Sequence, residues 1–180
     1  MSITQVKIVV TGPYSSGKTQ LINTISEIGT VNTDARVMSG TAEADVKSQT
    51  TVAMDFGRIT IDNNLVLYLF GTPGQRRFDF MWDVLQEGML GFIVMVDSSR
   101  PETFNEARSI LEHFKAYASV PYVVAANYQD MPDAWDLDDL RVALRVENGV
   151  PVEPCIALDL DYVKHVILSL LYLVQQELAQ

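Results

Sequence analysis

One octapeptide constrains this chain more than any other stretch: Gly12-Pro13-Tyr14-Ser15-Ser16-Gly17-Lys18-Thr19, a match to G-x-x-x-x-G-K-[ST]. It follows the apolar run Val6 to Val10 and precedes helix-like sequence, the strand–loop–helix setting that this pattern needs. Glycines at both ends, Gly12 and Gly17, let the backbone curl. Successive N–H groups from Tyr14, Ser15 and Ser16 through to Gln20 can then point at phosphate oxygens, and the following helix adds its N-terminal partial charge. Lys18 is expected to place its ammonium between two terminal phosphates, and Thr19 to offer a hydroxyl to magnesium. Glycine, serine and threonine are also ordinary turn residues. The combination of strand, loop, two glycines, Lys-Thr and helix favours a phosphate site over a plain turn.

The chain has 180 residues, enough to bury a substantial core in one domain spanning 1–180. A hydrophobic fraction of 48% excludes a disordered chain, and a net charge of −10 argues against nucleic acid or anionic lipid as the main partner. Phosphate binding must then be local. A lone cysteine, Cys155, forms no internal disulfide and fits a reducing cytoplasm, where the chain is expected to reside. No membrane anchor is expected: Ser2 does not accept myristate, Leu178-Ala179-Gln180 carries no prenylation cysteine, and the apolar run Val166 to Val174 is too short to span a bilayer.

Patterning alternates strands with helices. Val6 to Thr11 reads as a strand and Thr19 to Ile28 as a helix, followed by a polar, exposed connection from Gly29 to Lys47. Val52 to Ile61 and Leu65 to Phe70 read as a hairpin turning at Asp62-Asn63-Asn64. Leu90 to Val96 and Pro121 to Ala126 are continuous apolar runs, as strands covered on both faces require. Ser99-Arg100-Pro101-Glu102 resembles a capping box that opens a helix to Tyr117. A helix over Leu137 to Val146, a strand over Val152 to Ile156 and a closing helix over Tyr162 to Leu178 complete the series. The fold class is therefore α/β, a three-layer sandwich with a parallel sheet and one hairpin.

In such a sheet ligands sit beyond the carboxyl ends of the strands. After Phe70 comes Gly71-Thr72-Pro73-Gly74-Gln75, where the Gly74 N–H is expected at a terminal phosphate and Gln75 beside an attacking water. After Ala126 comes Asn127-Tyr128-Gln129-Asp130; the carboxylate can accept two hydrogen bonds from a guanine edge, while Asn127 braces the loop or contacts the ring. After the last strand the N–H of Ala157 is expected at the guanine carbonyl oxygen. Each signal alone is an ordinary turn, and it is their order at successive strand ends that gives them weight.

With these residues in place the chain resembles a Ras/Arf-superfamily small GTPase, and is similar to the bacterial branch typified by the MglA motility switch. G-P-Y-S-S-G-K-T, T-T-V-A-M-D-F-G, L-F-G-T-P-G-Q, A-N-Y-Q-D and C-I-A carry the likeness. The resemblance implies the α/β/α fold of P-loop NTPases with a mostly parallel six-stranded sheet, GTP or GDP bound with Mg²⁺, and two switch segments. It also implies slow GTP hydrolysis, a roadblock-type activating protein and an effector. It makes Thr51 the switch threonine that reaches magnesium, with Thr50 as competitor.

Three departures bear on mechanism. Gly71 stands where most of the superfamily has an aspartate that holds magnesium through water; two readings of Asp55 stay open, a substitute if its strand shifts on activation and an ordinary edge residue. Tyr128 stands where the family has lysine; an aromatic ring can still cover the base, but the lysine's contact with the phosphate loop is lost. Tyr14 puts a bulky side chain where relatives often have glycine, in the path of an arginine from an activating partner. Together they support an alternative: a guanine-nucleotide module with little or no hydrolysis.

Overall fold

The structure is a computed structural model and describes residues 4–29, 33–36, 51–74 and 78–179. In chain order these form β1 (Thr4–Thr11), α1 (Lys18–Ile25), β2 (Thr33–Arg36), β3 (Thr51–Asp62), β4 (Leu65–Gly71), α2 (Phe80–Gln86) and β5 (Gly91–Asp97). There follow a 3₁₀ turn (Pro101–Thr103), α3 (Phe104–Tyr117), β6 (Tyr122–Asn127), α4 (Leu137–Leu144), β7 (Val152–Pro154) and α5 (Leu160–Leu178).

The strands make one sheet in the order β2-β3-β4-β1-β5-β6-β7. The pairs from β4 to β7 are parallel, and β3 runs antiparallel to both β2 and β4. The mostly parallel sheet with one hairpin is as expected. Beside the six anticipated strands, the four-residue β2 pairs with the edge at β3. It falls inside the stretch read as exposed connection, the rest of which, apart from Gly29, lies outside the described residues. Polar Thr-Asp-Ala-Arg has no strand signature of its own, so only pairing with β3 makes it one.

Strand alternation divides the core in two. Val6, Ile8 and Val10 of β1 face α1 and α5, packing with Leu21, Ile22, Val166, Ile167 and Leu170. Val9 faces the other way, into a cluster with Trp82 of α2, Phe104, Leu111 and Phe114 of α3, and Leu140 and Leu144 of α4. Both faces being covered, every residue of β5 and β6 is buried. No helix among the described residues is long and apolar enough to cross a membrane.

One local expectation changes, and one element carries no sequence signal. The capping box does not form: Asp97, at the end of β5, accepts from both the N–H and the hydroxyl of Ser99, and Glu102 is taken by Arg100 Nε at 2.9 Å. The helix opens instead with the 3₁₀ turn, because a nearer acceptor captures the would-be cap. The short helix α2 carries Phe80 and Val84 on its exposed side as well as Trp82 and Leu85 inside, so its seven residues show no apolar periodicity.

Candidate functional site

The loop after β1 turns where only glycine fits. Gly12 has φ 142° and Gly17 φ 102°; a Cβ on Gly12 would lie 2.2 Å from the Met95 carbonyl oxygen, and one on Gly17 2.3 Å from Asn127 Nδ2. The loop is thus pressed against the ends of β5 and β6. Ser15 also takes a left-handed conformation, at φ 63°. Lys18 is buried, and its Nζ donates to Gly12 O at 2.8 Å and Pro13 O at 2.7 Å, so the lysine is folded back across its own loop. Burial pushes its ammonium down to about 8, against the pull of Asp55 and Glu106. A buried cation at the head of a helix, beside a curled backbone, is suited to an anion that restores its charge.

Three further strand ends close on this loop. From β4, Thr72 N–H donates to Val10 O and its hydroxyl to Thr11 Oγ1, both at 2.9 Å. That fixes the start of the segment carrying Gly74, where a Cβ would lie 2.8 Å from Tyr14 Cα and 3.0 Å from Lys18 Nζ. Gly74 therefore sits against the lysine, where a terminal-phosphate contact was expected. Tyr14 is exposed at the same mouth.

From β6, Asn127 is buried, with Nδ2 donating to Ser16 O at 3.0 Å and Oδ1 accepting from Ala157 N at 2.9 Å. Of the two roles open to Asn127, the geometry is that of the brace. Ala157 N–H is committed to that brace, so the base contact expected of it would have to be shared. Tyr128 follows at φ 62°, half-buried, and Asp130 is exposed beyond it. Gln129, which the sequence did not single out, sews the rim together: its amide nitrogen donates to Ser98 Oγ at 2.8 Å and Trp135 O at 3.1 Å, and its backbone N–H to Cys155 O. Gln20 donates to Thr24 Oγ1, which in turn donates to Ala157 O at 2.6 Å, tying α1 to the loop after β7.

Thr19 is exposed, and its hydroxyl donates to Asp55 Oδ2 at 2.5 Å across from β3. Asp55 pairs in register with Gly71. Thr51 opens β3, and only its backbone place is described; Gln75 and Thr50 lie outside the described residues. Among the described residues no three acidic, histidine or cysteine side chains could cage a metal ion. Mg²⁺ commonly takes one or two carboxylates and completes its shell with phosphate and water, so Thr19 and Asp55 fit that ion.

A glycine-cornered loop with a buried lysine, joined by a braced asparagine to the other loops at one rim of a parallel sheet, defines a P-loop nucleotide-binding protein built like a small GTPase. The chain belongs to the family described as conserved hypothetical ATP binding protein, whose model matches residues 10–175. An uncharacterized protein of Methanocaldococcus jannaschii is 34% identical over 130 residues, covering 72% of this chain and 73% of that one. Mutual gliding-motility protein MglA of Myxococcus xanthus is 26% identical over 153 residues, 79% and 76% of the two chains. ADP-ribosylation factor-like protein 3 of Saccharomyces cerevisiae is 26% identical over 140 residues, 76% and 66%.

Proposed function

We propose that the chain is a single-domain cytoplasmic switch of the MglA-like branch, which binds GTP or GDP with Mg²⁺ and slowly hydrolyses the γ-phosphoryl bond. The observation that carries this reading is the Asn127 brace, which joins the lysine loop to the two loops expected to hold a base. Lys18 and the amides of the loop stabilise charge on the phosphates, Thr19 and Thr51 hold the ion, Asp130 selects guanine, and Tyr128 covers the base. Bound Mg²⁺ would neutralise charge on the transferred phosphoryl group. Gln75 orients the attacking water. A roadblock-type activator and an effector protein complete the cycle, as the resemblance implies.

Denaturing the purified protein and identifying the released nucleotide by chromatography tests the ligand. GDP or GTP supports the reading; ATP or ADP would overturn the guanine assignment and agree with the family's description. Hydrolysis is tested by phosphate release. Turnover of about 10⁻⁴ to 10⁻² s⁻¹ is expected, as for other small GTPases, and Gln75→Ala should lower it by at least tenfold. Equal rates would remove Gln75 from the mechanism. Gly71 and Tyr128 favour a second reading, a nucleotide module without turnover, and single-turnover release below 10⁻⁵ s⁻¹ (about a tenth of the slow limit) would select it.

A further inference from the structure

Tyr128 has φ 62°, a left-handed conformation that a bulky side chain keeps only where its surroundings over-determine it. The residues on either side supply that constraint. Asn127 ends β6, its amide braced to Ser16 O and Ala157 N and its carbonyl accepting from Ser98 N at 3.0 Å. Gln129 is held three times: its backbone N–H donates to Cys155 O at 3.3 Å, and its amide nitrogen to Ser98 Oγ at 2.8 Å and Trp135 O at 3.1 Å. An amide nitrogen carries two hydrogens, so both are used here. Ser98 is fully buried and is the hub of this net, since its N–H, carbonyl and hydroxyl meet Asn127 O, Trp135 N–H and the Gln129 amide. Trp135 is fixed in turn by its ring, edge-on to Phe104 at 5.1 Å. The turn after β5, the segment before α4 and the loop after β7 therefore converge on the one residue that separates Tyr128 from Asp130.

We propose that Gln129 is a positioning residue for base recognition: anchored on Ser98, it holds the left-handed turn at Tyr128 and so aims the Tyr128 ring and the Asp130 carboxylate at the same base. This rests on the proposed reading of a guanine site and names what gives that site its geometry. Because the Gln129 amide is spent on Ser98 and Trp135, it acts through its neighbours and not by touching the base. Stacking on an aromatic ring tolerates any base, so discrimination runs through Asp130. Loss of Gln129 should erode that discrimination while leaving the contacts of Lys18 in the phosphate loop in place.

The test is the affinity of GDP, ADP and inorganic pyrophosphate, each with Mg²⁺, for wild type, Gln129→Met, Ser98→Ala, Asp130→Ala and the double variant Gln129→Met/Asp130→Ala. Methionine keeps the length of glutamine without its hydrogen bonds. Ser98→Ala removes the side-chain acceptor while both backbone bonds of Ser98 stay, so one variant reports if the other does not fold. A site that hydrogen-bonds a ligand group rejects the analogue lacking it by orders of magnitude. Wild type is expected to prefer GDP strongly over ADP, and Gln129→Met and Ser98→Ala to lower that preference by about tenfold or more, with pyrophosphate affinity within about twofold of wild type. In the Asp130→Ala background, Gln129→Met should lower the preference no further, because the carboxylate through which it acts is gone. A preference unchanged in both single variants overturns the assignment even if their melting temperatures fall, as does a loss of pyrophosphate affinity equal to the loss for GDP. A wild type that binds ADP as well as GDP, or neither, instead overturns the guanine-nucleotide reading itself.

Discussion

Lys18→Met should weaken nucleotide binding by a hundredfold or more and, at the same time, raise the melting temperature of the nucleotide-free protein. Two charge-assisted contacts to phosphate are worth about 1.5–3 kcal/mol each, which sets the first effect. The second follows from burial. Lys18 is held at about 8 instead of 10.5, chiefly by desolvation, so keeping it charged at pH 7 costs roughly 3 kcal/mol. Loss of its bonds to Gly12 O and Pro13 O offsets part of the relief, leaving a net gain of about 1 kcal/mol.

The sign in pH separates this from a general packing effect. Because the folded value lies below the unfolded one, the cost is present in full below pH 8 and fades as pH rises towards 10.5. The nucleotide-free wild type should gain stability across that window, and Lys18→Met should lack the gain. Nucleotide binding runs the other way. Above pH 8 the amine must regain its proton to meet phosphate, so affinity should fall by about tenfold per pH unit with measurable proton uptake. Calorimetry at pH 7 and 9, in buffers of different ionisation enthalpy, reads both; a flat affinity across that range would contradict the buried ammonium.

Asn127→Ala should cost about 2–4 kcal/mol of folding stability, with a fall of roughly 5–15 °C in melting temperature by calorimetry. It leaves Ser16 O and Ala157 N–H buried without their partner. Nucleotide affinity should drop with it, since the loop after β1 and the loop after β7 are held together through this one amide. Asn127→Asp divides the two bonds: a carboxylate can still accept from Ala157 N but cannot donate to Ser16 O, so it should fall between wild type and alanine. An alanine variant as stable as wild type would show that the loops stand without the brace.

Much of the site could be read from residue order. Gly12 to Thr19 is a local device whose backbone curl and helix start need only neighbouring residues, and positive φ at Gly12 and Gly17 agrees with the pattern. The buried runs of β5 and β6 announced a sheet covered on both faces, and hence a rim where loops would gather. Less legible were elements whose stability is borrowed: β2 exists through pairing with β3, and α2 through one turn of contacts to α3. The capping box failed for a different, local reason: Asp97, two residues before Ser99, accepts from its N–H and hydroxyl in a competing turn.

What the sequence determined by itself was therefore the glycine-cornered loop after β1, the alternation of strands and helices, and the strand ends at which the candidate residues gather. Three matters were left to the tertiary structure: that Asn127 braces two loops, that Gln129 locks the rim, and that Asp55 stands across from Gly71 with its carboxylate on Thr19. Each is a contact between residues 30 to 111 positions apart or a cross-strand register. No local pattern encodes such a contact, because its energy is gained only when packing has brought both partners to the same point.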